Sequence, residues 1–127
     1  MRDLPTGPAL SALARSVLLE ELLPLLPRER QLEARLVAAA MAIAEREAAA
    51  GEAPSEWVAD SLEQLYGAGD LDLQLHRLAA DLRQGAFESE EWRERGVRIL
   101  LWRLTIAKLR AANPRFLAAN GFSEEPR

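Results

Sequence analysis

A chain of 127 residues holding 23 Ala and 23 Leu against seven aromatics forms one domain by default, favours helix, and argues against a β-sandwich or barrel. With no Cys and one His it has no disulfide, no thiolate chemistry, no zinc-thiolate site and no His-cluster metal site within the chain, so no cofactor and no metal is expected. The net charge of −4 lacks the long-range attraction that nucleic-acid binders use, so no nucleic-acid partner is expected either.

Gly and Pro punctuate the chain into helical segments. Pro5-Thr6-Gly7-Pro8 reads as a helix start, with Pro8 at the first helical position. The first helix then runs from about Pro8 to Leu23 or Leu26, with Leu10, Leu13, Ala14, Val17, Leu18 and Leu25 on one face. Pro24 cannot donate to the carbonyl of Glu20, so this helix kinks or ends there. A second helix spans about Arg28 to Ala50, closed by Gly51, with an apolar stripe of Leu32, Leu36, Ala40 and Ile43. A third starts near Pro54-Ser55, stops at Gly67, and buries Trp57, Val58, Leu62, Leu65 and Tyr66. A fourth starts at Asp70, a favoured N-cap residue, and ends before Gly85 with Leu71, Leu75, Leu78 and Leu82 on its face. A fifth runs from near Ser89 to Asn113, where Pro114 ends it. The fold class is therefore all-α, a single-domain bundle of about five helices over residues 1–116, with 117–127 as a frayed tail.

The fifth helix is apolar on two sides. Val97, Leu100, Leu104, Ala107 and Ala111 share one side, and Ile99, Trp102, Ile106 and Leu109 share another, with Arg103 and Arg110 in a stripe between them. Such a helix is either central in its bundle or shares one side with a partner. Residues 92–115 sum to a charge of +6 and the rest to −10, so this segment is expected to lie against acidic helices of the same chain.

Chemistry-bearing constellations are sparse. His76 has Asp72 one turn earlier and reads as a solvent-facing pair before it reads as a general base. Glu21 falls within the apolar face of the first helix, where a carboxylate is costly unless paired. It is a buried-charge candidate, held by an Arg of the fifth helix, turned outward by a phase slip at Pro24, or aimed at a ligand or partner. Arg35 and Arg46 lie about three turns apart on one face of the second helix, with Ala39 and Ala42 between them. They form a solvated face or a receptor for a phosphorylated or carboxylated group. No catalytic residue set emerges.

Asp3, Arg15, Glu20 and Glu21 interrupt the apolar N-terminal run, so no signal peptide is expected there. The uncharged run from Leu36 to Ala44 is nine residues, far below the ~20 needed to span a bilayer, so the plain expectation is a soluble cytoplasmic protein without a membrane partner.

Four segments carry a resemblance: Pro5-Thr6-Gly7-Pro8, the run from Leu18 to Pro27, the Ala-rich run from Val37 to Glu47, and Asn113-Pro114-Arg115-Phe116-Leu117. In this order and spacing the chain resembles a family of small bacterial helical proteins of unknown function. Members tend to be encoded beside a kinase similar to aminoglycoside phosphotransferases and beside an acyl-CoA dehydrogenase. In the levulinate-catabolism branch, the small protein acts with the kinase as a 4-hydroxyacyl-CoA kinase. One departure is Ala39, where the family pattern often has Asn. The resemblance implies a non-catalytic accessory subunit of such a kinase in acid catabolism. Ile99, Trp102, Arg103, Ile106 and Arg110 are the partner-contact candidates, an aromatic beside arginines being enriched at binding hot spots. The alternatives are a self-associating helical module without an enzyme partner, so a possible homo-oligomer, and a stand-alone enzyme or ligand binder using Glu21 or His76.

Overall fold

Local signals set most of the helix ends. In the computed structural model, which describes residues 4–122, the helices are α1 (Gly7–Val17), α2 (Arg28–Ala50), α3 (Ala53–Tyr66), α4 (Leu71–Arg83), α5 (Glu91–Ala112) and α6 (Pro114–Asn120), with no strand among the described residues. Thr6 caps α1 by accepting from the Ala9 amide at 3.4 Å, and Asp70 caps α4 by accepting from the Leu73 amide at 3.0 Å. At the end of α4, Gly85 adopts φ +70°, its amide bonds the Leu82 carbonyl, and the Ala86 amide reaches back to the Asp81 carbonyl. This is a Schellman closure, which needs a left-handed residue at that position. No described helix is long and apolar enough to cross a membrane.

The chain forms two compact units, Met1–Gly51 and Glu52–Arg127. In the first unit α1 does not run straight to Pro24. It widens into a π-helical turn over Leu18–Leu22, where the Leu23 amide bonds the Leu18 carbonyl, and then tightens into a 3-10 turn over Leu23–Leu25. The proline's disruption is thus spread over the preceding turn instead of one kink. The seam between α1 and α2 is made of small residues: Ala34 and Ala38 are the buried positions of α2. Arg15 of α1 grips Glu45 of α2 through two bonds of 3.1 and 2.9 Å, and the Ser11 hydroxyl donates to the same carboxylate at 3.2 Å.

The core lies in the second unit. Val58 and Leu62 of α3, Leu78 of α4, Val97 and Leu100 of α5, and Phe87 from the α4–α5 connection are buried together, with Leu62 fully enclosed. Gln74 of α4 is also buried, and it is satisfied, its amide donating to the Gly67 carbonyl at 2.7 Å. Tyr66 of α3 donates to Asp81 of α4 at 2.7 Å, with the Arg77 guanidinium 4.4 Å from its ring centre.

One expectation is corrected here. Residues 117–120, the start of the expected frayed tail, are helical, because Asn113 accepts from the Phe116 amide at 3.2 Å and starts α6. Residues 123–127 lie outside the described residues. Of the two alternatives held open for α5, central helix or shared face, the second apolar side lies between them: it is partly covered by the chain itself. Phe122 follows α6 and meets Trp102 edge-on at 5.7 Å between ring centres, Ile106 is buried, and Ile99, Trp102 and Leu109 are half-buried.

Candidate functional site

Two surfaces stand out, one on each unit. In the first unit, Leu10, Leu13 and Val17 lie on the side of α1 away from Ser11 and Arg15, and Leu32 and Leu36 lie on the side of α2 away from Ala34 and Ala38. These are the stripes that the sequence marks as core, yet Leu13 is 61% exposed, Leu32 65% and Leu36 61%. Leu25, in the 3-10 turn, is 81% exposed. A pair of helices has one seam, and here the alanines and the Arg15–Glu45 pair occupy it. Covering each exposed leucine would contribute about 1–2 kcal/mol.

The Arg15–Glu45 contact is the clearest electrostatic feature of that unit. The hydrogen bond from Arg15 holds the Glu45 carboxyl below the usual carboxylate range, and the same bond raises the Arg15 guanidinium. Glu21 is exposed in the π-helical turn just before Pro24, so of the alternatives held open for it the outward turn is found and burial against an Arg of α5 is not. Arg35 is exposed on α2 and Arg46 is half-buried. Both stand on the arc next to the bare leucines rather than in an enclosed receptor.

In the second unit a groove runs between α3 and α5. Its larger hollow encloses about 470 Å³, and a second hollow of about 230 Å³ continues past Trp57 and Arg103, which line both. The floor is apolar, formed by Val97, Leu100 and, further on, Leu104. Trp92 stands at one end, 74% exposed. The α5 lip carries Arg93, Arg103 and Arg110, whereas the acid in the lining is Asp60 of α3. Arg103 lies over the Trp57 ring at 5.3 Å, and Arg93 over Phe87 at 5.5 Å. Ile99, Arg103 and Arg110 of the contact candidates therefore share this groove, while Trp102 and Ile106 belong to the side met by the C-terminal segment.

The basic helix satisfies part of its charge locally. Arg93, Arg95 and Arg98 pair with Glu90, Glu91 and Glu94 one turn back. His76 is exposed, and its Nδ1 donates to the Asp72 main-chain oxygen at 2.7 Å rather than meeting the Asp72 carboxylate. Among the described residues no group of three or more His, Cys, Asp or Glu is placed to hold a metal ion.

Sequence reasoning missed Trp92 and Gly96 in the groove, and Arg15 with Glu45 in the hairpin seam. A glycine inside a long helical pattern was the available signal for Gly96. The Arg15–Glu45 pair had none, because thirty residues separate its members.

A family model described as a domain of unknown function, DUF6285, matches residues 24–116. No curated protein and no solved structure matches the chain. The matched span takes in α2 through α5 and leaves α1 outside it.

Proposed function

The chain belongs to the DUF6285 family, and from that premise we propose that it is a non-catalytic accessory subunit of an aminoglycoside-phosphotransferase-like kinase. The kinase acts on a hydroxyacyl-CoA in cytoplasmic acid catabolism, as the resemblance of the four ordered segments implies. The observation that carries a partner role is the pair of bare leucine stripes on the α1–α2 unit. A surface of this kind, contiguous along a helix, marks an interaction site rather than scattered exposed leucines. The kinase, on this reading, supplies the cover that the two-helix unit lacks.

The test is co-expression with the phosphotransferase-like kinase of the same host. The expected result is a complex of fixed stoichiometry on size exclusion, lost when Leu32 and Leu36 are both changed to Gln, together with kinase turnover that depends on the small chain. Recovery of the kinase alone with full turnover overturns the proposal. A homodimer broken by the same two changes would favour the self-associating module instead.

A further inference from the structure

The outer face of α2 carries more than bare leucines. Leu32, Leu36, Ala39 and Ile43 follow one another at spacings of four, three and four, the period at which two helices keep a common seam. Leu32, Leu36 and Ala39 are exposed and Ile43 is half-buried. This seam has two unlike edges. Arg28 and Arg35 stand along one, and Glu29 and Glu47 along the other. All four are exposed, and none forms an ion pair or side-chain hydrogen bond among the described residues. Arg46 lies on the basic edge too and is already engaged. The contrast with α5 is plain. There acids and arginines alternate at one-turn spacing and pair with each other. On α2 the four charges are sorted by edge, and no residue three or four places away offers any of them an opposite charge. The sorting continues for about 28 Å, from Arg28 to Glu47, the length of a helix of about twenty residues.

We propose that the element covering this face is a single helix of another protein, with leucine-type residues on Leu32 and Leu36, a large side chain over Ala39, an acidic edge toward Arg28 and Arg35, and a basic edge toward Glu29 and Glu47. Apolar knobs in such a seam supply affinity, and the charges flanking it choose the partner. A second copy of this chain matches the face badly. Laid antiparallel, it brings the Arg28–Arg35 edge against itself and the Glu29–Glu47 edge against itself. Laid parallel in register, it sets Glu29 against Glu29 and Arg46 against Arg46. The inference rests on reading the α1–α2 unit as covered by a partner, and not on that partner being a kinase.

Three synthetic helical peptides of about twenty residues test it. They share one leucine strip at coiled-coil spacing. One carries Glu along one edge and Lys along the other, one carries Glu on both edges, and one carries Lys on both. Binding to the full chain is followed by the anisotropy of a label on the peptide. The mixed-edge peptide is expected to bind at least about tenfold more tightly than either of the others, and to weaken as salt rises. Attraction to net charge alone would put the Lys peptide first on this acidic chain. Arg28→Glu with Arg35→Glu makes both edges acidic and should give first place to the Lys peptide. Glu29→Lys with Glu47→Lys makes both edges basic and should give it to the Glu peptide. A ranking that follows peptide charge, no binding of the mixed-edge peptide, or an unchanged ranking after either double change overturns the proposal. So does a homodimer that Leu36→Gln dissociates, since a second copy would then hold the face. In the co-expression experiment, a kinase complex left intact by Arg28→Glu with Arg35→Glu keeps the kinase reading and removes this one. If the mixed-edge peptide binds as expected and no kinase assembles, the seam stands and the kinase reading falls.

Discussion

Tyr66 ties α3 to α4 through one short bond, and its titration is the most direct reading of that contact. Burial first, and then the hydrogen bond to Asp81, push its phenol up to about 12. The folded value lies above the usual ~10, so the stability it contributes is complete below pH ~10 and is lost as pH rises toward 12. An absorbance titration of the native chain should show phenolate forming near 12, and a midpoint near 10 would mean that the contact is not held. Tyr66→Phe should lower stability by about 1 kcal/mol in urea unfolding. Glu45 works in the opposite direction. Its folded value lies below the usual ~4.3, so the Arg15 contact stabilises above that pH and fades as acid takes the carboxyl through its lowered range. Thermal melts across that window should fall steeply for the native chain and less for Glu45→Gln, which has no charge to lose. Parallel slopes would separate the acid sensitivity from this pair. Asp70 was legible from its type and place before an apolar repeat. The Arg15–Glu45 pair was not, because charge pairing between helices depends on a rotational register that one helix's periodicity does not contain.

At the scale of elements, stripes predicted buried surface well where three helices meet and poorly where two do. On α3 the expected Val58 and Leu62 are buried, and on α4 so is Leu78. Leu62 touches the core from all sides, so Leu62→Ala should cost about 2–5 kcal/mol, with the upper end if the cavity stays open. A loss under 1 kcal/mol in denaturant unfolding would mean that the α3–α5 layer repacks. On α2 the leucine stripe was legible as apolar but not as outward-facing. The helix has a second apolar arc of alanines, and small side chains let the α1 backbone come close enough for Arg15 to reach Glu45. Pro114 was legible as a stop and not as a start, although proline suits the first position of a helix and Asn113 is a good cap. The cap therefore has a consequence for α5. Asn113→Ala should weaken α6 by about 1 kcal/mol and withdraw Phe122 from Trp102, shifting tryptophan emission to the red. Unchanged emission would show that Phe122 stays on Trp102 without the cap.

For the whole molecule, the two units differ in what holds them. Unit Glu52–Arg127 has an interlocked core from three helices and a connecting loop, whereas unit Met1–Gly51 has two buried alanines, one gripped carboxylate and leucines facing outward. Burial of large apolar side chains supplies most folding stability, so the first unit should open at lower free energy than the second. Hydrogen exchange of the isolated chain should therefore show weaker protection for the amides of α2 than for those in the middle of α3 and α5. The length of α2 makes this a sharp comparison, since a helix of 23 residues would otherwise be expected to protect its centre. A partner that covers Leu32 and Leu36 binds the closed unit and not the opened one, so its protection should rise with partner concentration by mass action. Equal protection of α2 and α5 in the isolated chain would show that the leucine stripes are already covered without a partner, and the argument for an accessory subunit would lose its physical footing.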